Sequence, residues 1–145
     1  MKITAIKGFP VKVGRRNQFV VKIETDAGYS GLGEGGISGR ELAMQGMLDH
    51  FSQFLIGQDP RRIEHIWQTC YRGAYFEGGK ILAATLSAID IALWDILGQS
   101  LGAPIYQLLG GAARQEVPLF ATARASLTGP ECVERTKELV AEGWR

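Results

Sequence analysis

The chain has 145 residues, with 16 Lys and Arg set against 15 Asp and Glu, and 46% of its residues are hydrophobic. That apolar share excludes a disordered chain, and a formal charge of +1 leaves no basic excess to grip a nucleic-acid backbone or an anionic membrane. The first seven residues carry no apolar signal region, and the longest near-apolar stretch, residues 81–97, is broken by Asp90 and Asp95, so the reading is a cytoplasmic protein without a membrane span.

The first third reads as strands. Residues 3–11 come first, Gly14, Arg15, Arg16, Asn17 and Gln18 make a polar connection, and Val21 and Ile23 then alternate with Lys22 and Glu24 at the period of a half-buried strand. Asp26-Ala27-Gly28 supplies turn chemistry before residues 29–34, which completes a three-stranded antiparallel meander. Ser38-Gly39-Arg40-Glu41 has the spacing of a capping box, and Met44, Met47, Leu48, Phe51 and Leu55 follow at helical intervals. Asp59-Pro60 repeats the start signal ahead of Ile63, Ile66, Trp67, Cys70 and Ala74.

The third helix differs. Leu82, Leu86, Ile89, Leu93 and Ile96 form one stripe, while Ala84, Ala88, Ile91 and Ala92 leave the other sides apolar too. A helix of that kind needs cover on more than one side. Since the meander and two helices are expected to cover one face only, the helix is predicted to sit between its own domain and a second body. Gly102 and Pro104 end it, and residues 105–109 make a short turn closed by Gly110-Gly111. Residues 117–123 then read as a strand, and Pro130 opens a helix with Cys132, Val133, Thr136, Leu139 and Val140 inward and Gly143 as its stop. A strand followed by a helix is the unit of parallel sheets, and the sequence holds no parallel neighbour for this strand.

Several tempting motifs have plainer readings. Gly31-Leu32-Gly33-Glu34-Gly35-Gly36 fits a dinucleotide-binding pattern, but its strand belongs to an antiparallel hairpin and no acid-bearing strand returns about twenty residues on. Glycine that permits a tight passage from strand to helix is preferred. Asp90 and Asp95, five residues apart, are rotated by roughly 140° and diverge, so pairing with a base or with backbone donors is expected rather than shared metal binding. His50 and His65 lack ligand spacing, Cys70 and Cys132 lack a CxxC partner, and neither a nucleophile elbow nor a phosphate-binding loop is present. Arg15 and Arg16, beside Asn17, read either as a solvated turn or as a forked grip on a carboxylate. Arg124, just past the last strand, has the same two readings, the second because function gathers at the C-terminal rim of a barrel.

A longer pattern carries more. Ala84-Thr85-Leu86-Ser87-Ala88-Ile89-Asp90-Ile91-Ala92-Leu93-Trp94-Asp95-Ile96-Leu97-Gly98, continuing through Leu101-Gly102-Ala103-Pro104-Ile105-Tyr106-Gln107-Leu108-Leu109-Gly110-Gly111, resembles the N-terminal signature of the mandelate racemase and muconate lactonizing enzyme family of the enolase superfamily. The stretches Trp67-Gln68-Thr69-Cys70-Tyr71-Arg72 and Glu77-Gly78-Gly79 are most similar to sugar-acid dehydratases such as galactonate dehydratase. The resemblance implies an α+β capping domain over residues 1–112, a meander followed by a three-helix bundle, and the first strand and helix of a truncated (β/α)8 barrel over residues 113–145.

It also implies a chemistry: abstraction of the proton α to the carboxylate of a sugar acid or related hydroxy acid, by a Lys or His base with Mg²⁺ stabilising the enediolate, in a dehydratase or racemase. The metal-ligand acids and the base would lie on later barrel strands, so this chain would hold no Mg²⁺ ligand and would be inactive alone. Substrate contacts would fall to Arg15, Arg16 and Asn17 in the first loop and to Thr122 and Arg124 at the end of the first barrel strand. The expected partners are the remainder of the barrel, further copies in a homo-oligomer, and a small carboxylate substrate. The competing reading is a stand-alone, non-catalytic module that dimerises or binds another chain through the apolar third helix.

Overall fold

A computed structural model describes residues 1–76, 78–122 and 128–144. They divide into two compact units, Met1–Gly111 and Ala112–Arg145. In the first unit, β1 (Ile3–Val13), β2 (Arg16–Thr25) and β3 (Ser30–Gly35) form an antiparallel sheet in the order β1-β2-β3. The meander is therefore as expected, but its first connection is tighter. Val13 pairs with Arg16 and Lys12 with Asn17, so Arg16, Asn17 and Gln18 belong to β2 and only Gly14 and Arg15 make the turn. Gly14 permits this, because it takes φ +59 at the first central position, where a two-residue hairpin needs a left-handed residue to match the strand twist.

Helices α1 (Glu41–Leu55), α2 (Ile63–Arg72), α3 (Lys80–Leu101) and the short α4 (Ile105–Leu108) complete the unit. Both predicted starts shift. The residue preceding α1 is Arg40, with no side-chain cap, and the Ser38 hydroxyl oxygen instead accepts the backbone N–H of Asn17. Asp59 closes a turn ahead of α2 rather than capping the helix, its carboxylate accepting from both the backbone N–H and the guanidinium of Arg61. The core joins Phe19, Val21 and Ile23 of β2 to Met44, Leu48 and Phe51 of α1, Ile66 of α2, and Leu86, Ile89, Leu93 and Ile96 of α3.

How α3 reaches the sheet explains the glycines of β3. Gly31, Gly33 and Gly35 alternate along the strand and all turn toward the core. A Cβ on Gly31 would collide with the carbonyl oxygen of Ala92, one on Gly33 with that of Ala88, and one on Gly35 with Met44, at 3.1 Å from the oxygen of Ala84. A two-residue strand period thus meets a four-residue helix period, glycine against alanine, and the helix backbone lies directly on the sheet. The glycines serve helix-on-sheet packing, not a dinucleotide and not the strand-to-helix passage alone.

This packing also corrects the expected one-sided cover. The sheet takes one side of α3, while α1 and α2 take others, so Thr85, Leu86, Ala88, Ile89, Ala92, Leu93, Ile96 and Gly98 are all buried within the unit. Thr85 satisfies its hydroxyl on the carbonyl of Ile81. What stays bare is a narrow strip that includes Ala83, Ser87 and Ile91, the last 44% exposed. By length and composition α3 is apolar enough to cross a membrane, yet its apolar sides are those of a core helix.

Asp95 has the backbone partner expected of it. Its Oδ2 accepts the N–H of Leu32 at 3.0 Å, on the open edge of β3, and its Oδ1 accepts from Gln99 Nε2 at 2.9 Å, which in turn donates to the carbonyl of Ser30 at 2.8 Å. α3 therefore occupies both the face and part of the edge of β3, where an unpaired strand would otherwise invite another chain.

The second unit contains α5 (Gly129–Ala141), whose start is a true capping box: Thr128 and Glu131 satisfy each other's backbone donors, and Pro130 sits in the first turn. Two expectations fail here. Residues 117–122 form no strand, and no residue of α5 is buried, Val133 being 56% and Val140 64% exposed. The reason is common to both: a parallel strand needs a neighbour to pair with and a βα helix needs a sheet to cover, and the described residues of this unit supply neither.

The seam makes a specific prediction. Gly33→Ala forces a methyl onto the Ala88 carbonyl and is expected to destabilise the fold by about 1–3 kcal/mol or more, whereas Gly36→Ala meets nothing within 4 Å and should change stability by less than about 0.5 kcal/mol. Equal urea midpoints for the two variants would contradict the seam.

Candidate functional site

The tip of the β1–β2 hairpin gathers three of the five residues singled out in the sequence. Arg15 and Arg16 are exposed there, and neither guanidinium makes a hydrogen bond or ion pair with a described residue. Asn17, on the same side of β2 as Phe19, faces the connection from β3 to α1, where its backbone N–H donates to Ser38 Oγ at 3.0 Å. In the same connection the N–H of Gly39 donates to Glu41 Oε1 at 2.6 Å. Those bonds hold the Glu41 carboxyl below its ordinary value, first through Gly39, then through its own backbone N–H, with the Asn17 side chain contributing in the same direction. A carboxylate and a hydroxyl thus tie the hairpin tip to the start of α1, leaving two fixed-base, free-headed guanidinium groups. That arrangement suits a forked grip on a small carboxylate.

The other two residues are placed differently. Thr122 lies in the second unit and is exposed, and Arg124 lies outside the described residues. Sequence reasoning missed Ser38 and Glu41 as parts of the site. Their spacing is that of an ordinary helix cap, and only the folded hairpin shows that Ser38 serves Asn17 instead.

The remaining candidates resolve into plain roles. His50 packs against Phe51 and Phe54, and His65 is exposed. Cys70 is buried, and that burial pushes its thiol up to about 12, so it is not a nucleophile at neutral pH. Cys132 is half-buried. Among the described residues no group of three or more His, Cys, Asp or Glu side chains gathers to hold a metal ion, so no step of a reaction is assigned to Mg²⁺ on this chain.

A second concavity, a cleft of about 540 Å³, runs between α2 and α3 and is lined by Ile63, Glu64 and Trp67 on one side, Asp90, Trp94 and Leu97 on the other, with Arg61 at its end. Trp67 stacks on Tyr71, the ring centres 4.8 Å apart. Asp90 makes no hydrogen bond or ion pair with a described residue, and burial, followed by the charge of Glu64, raises its carboxyl above the ordinary value.

Comparison with known proteins decides what the first unit is. Residues 9–110 match the family described as mandelate racemase / muconate lactonizing enzyme, N-terminal domain. The chain belongs to this family. All of it aligns at 42% identity with a D-mannonate dehydratase of Novosphingobium aromaticivorans, of which it spans 36%, and 83% of it aligns at 44% with a D-galactonate dehydratase of Ralstonia nicotianae, of which it spans 31%. Among solved structures, a candidate dehydratase from Mesorhizobium loti superposes on 99% of the chain with a TM-score of 0.92 at 40% identity, and the chain covers 40% of that protein. An enolase of Pantoea ananatis with bound D-gluconate and Mg superposes on 77% of the chain with a TM-score of 0.73 at 43% identity, and the chain covers 28% of it. The chain thus spans about a third of the length of the curated relatives it matches. β2, β3, the glycine seam and α3 fall within the matched N-terminal domain of the mandelate racemase and muconate lactonizing enzyme family, as does β1 with its hairpin tip from Phe9 onward.

The tie at the tip predicts a titration. Because Glu41 is held below 4.5 when folded, its contribution is complete above that value and is lost as pH falls through the lower, folded value. The amide proton of Gly39, followed by nuclear magnetic resonance, is expected to shift with a midpoint below 4.5, and Glu41→Gln should abolish the step. A midpoint at or above the ordinary glutamate value would contradict the bond.

Proposed function

We propose that this chain supplies the capping part of a Mg²⁺-dependent sugar-acid dehydratase, which removes the proton α to the substrate carboxylate. Residues 1–112 act as the cap and residues 113–145 as the first strand and helix of the barrel. The base and the Mg²⁺ ligands come from polypeptide beyond these residues, so the chain alone turns over no substrate. Arg15 and Arg16, on a tip tied down through Asn17, meet the substrate's carboxylate or hydroxyl groups, and Thr122 and Arg124 border the same site from the barrel side. The whole enzyme works as a cytoplasmic homo-oligomer.

The observation that carries this reading is the match of the chain, over its full length, to a D-mannonate dehydratase of which it spans 36%. The Mg bound with D-gluconate in the Pantoea ananatis structure supports the cofactor. The relatives' names favour dehydration over racemisation. Two unpaired guanidinium groups on a held tip support recognition of an acid, since charge-assisted bonds to carboxylates are among the stronger ones available to a surface loop.

A chimera tests it: this chain replaces the matching N-terminal 36% of the Novosphingobium aromaticivorans enzyme, and 2-keto-3-deoxy acid formation from aldonic acids is assayed with Mg²⁺. The chimera is expected to be active and the 145-residue chain inert. Replacing Arg15 and Arg16 together by Ala should raise KM for the acid by about 10-fold or more. A folded chimera that dehydrates no aldonate would contradict the reading.

A further inference from the structure

The α2–α3 cleft has a chemistry that the hairpin tip does not use. Two tryptophans, Trp67 and Trp94, line it together with two carboxylates, Glu64 and Asp90, that stand close enough for the charge of Glu64 to disfavour ionisation of Asp90. Among the described residues lining the cleft the one cation is already committed: Arg61 Nη2 lies 2.7 Å from Asp59 Oδ2 and its Nε 3.0 Å from Asp59 Oδ1. Glu64 accepts from Gln68 Nε2 at 2.7 Å, a neutral donor that leaves its charge in place, and Asp90 has no hydrogen-bonding partner among the described residues. Asp95, one and a half turns further along α3, shows the contrast, since both of its oxygens are engaged within the unit.

Asp90 is half-buried beside the exposed Glu64, and such a like-charged neighbour, with no cation between the two carboxylates among the described residues, costs free energy unless something else neutralises it. Aromatic rings beside carboxylates offer a cation attraction from two sources, the ring faces and the charges. Arginine suits such a place better than lysine, because its guanidinium is flat, stacks on indole and is weakly hydrated. Ile63 and Leu97 add apolar walls on either side, so the shape fits one cationic side chain flanked by apolar residues rather than a free ion. The relatives this chain aligns with continue for roughly twice its length beyond what it spans. A body of that size is the occupant the chain's own family provides.

We propose that the α2–α3 cleft is a docking slot for an arginine-bearing segment of the barrel portion, whose guanidinium enters between Glu64 and Asp90 and stacks against Trp67 or Trp94. The inference rests on the capping role proposed above, and it adds the place and chemistry of one contact that locks cap to barrel. It assigns Asp90 a role no residue of the cap provides for, and it gives the exposed rim of α3 a cover on the side the sheet does not reach.

The test reads stability, not turnover. Asp90→Asn is introduced into the 145-residue chain and into the chimera with the Novosphingobium aromaticivorans barrel. In the chain alone the substitution relieves repulsion from Glu64 and is expected to leave Tm unchanged or raise it. In the chimera it strips a buried guanidinium of its partner and should lower Tm by about 3 °C or more. Hydroxyl-radical footprinting of the unsubstituted proteins gives a second readout, with Trp67 and Trp94 expected to be oxidised several-fold more slowly in the chimera. Equal Tm shifts in both contexts, or equal oxidation of both tryptophans, would overturn the slot even if the chimera dehydrates aldonates. Opposite shifts in a chimera that dehydrates nothing would retain the slot while removing the dehydratase reading.

Discussion

The domain depends on how closely one helix can approach one strand. Gly31, Gly33 and Gly35 present no side chains toward the core, and Ala84, Ala88 and Ala92 present the smallest side chain a helix can carry. Two further features of the first unit follow from that contact. Because α3 lies directly on β3, Leu86, Ile89, Leu93 and Ile96 reach the side chains of β2, α1 and α2 and close a single core. Because the same helix overhangs the strand, Asp95 and Gln99 can take up backbone groups at the open edge of β3. A methyl group on Gly31 or Gly33 would strike the α3 backbone and push the helix away, loosening both the core and the edge, whereas one on Gly35 would first meet the flexible end of Met44.

The hairpin tip is the consequence that bears on function. Its position is set at one remove from the seam: β3 places residues 36–40, and Ser38 there, with Glu41 at the start of α1, holds Asn17 and the turn before it. A short turn held by a hydroxyl and a carboxylate keeps the backbone of Arg15 and Arg16 near one position without burying their side chains. The family domain therefore joins a packed body to a small polar edge.

Much of this is legible in the residues and some is not. The meander and the three long helices show in their periodicities because a half-buried strand and an amphipathic helix each repeat at a fixed interval. The signature around Asp90 and Asp95 identifies the family, and its backbone-directed carboxylate is seen in Asp95. Three things escape. The glycines of β3 look like a phosphate loop or a turn because sequence shows which residues lack side chains, not which backbone comes to fill the space. Ser38 looks like a helix cap because its alternative partner, Asn17, is brought near only by the fold. The covering of α3 on several sides is underestimated because counting apolar faces does not show that α1 and α2 pack on sides of α3 other than the one the sheet takes. Residues 117–122 are the opposite case: their strand-like composition describes a partnership, and without a neighbouring strand it produces none.

The stability of the chain lies in the glycine and alanine seam, and α5, a helix of 13 residues with nothing buried, is left close to the marginal stability of an isolated helix. Native-state amide hydrogen exchange on the intact chain tests this most directly. The slowest amides should be those of α3, β2 and β3, exchanging together at the rate of global unfolding, with the α5 amides exchanging orders of magnitude faster. Protection of α5 equal to that of α3 would contradict the account.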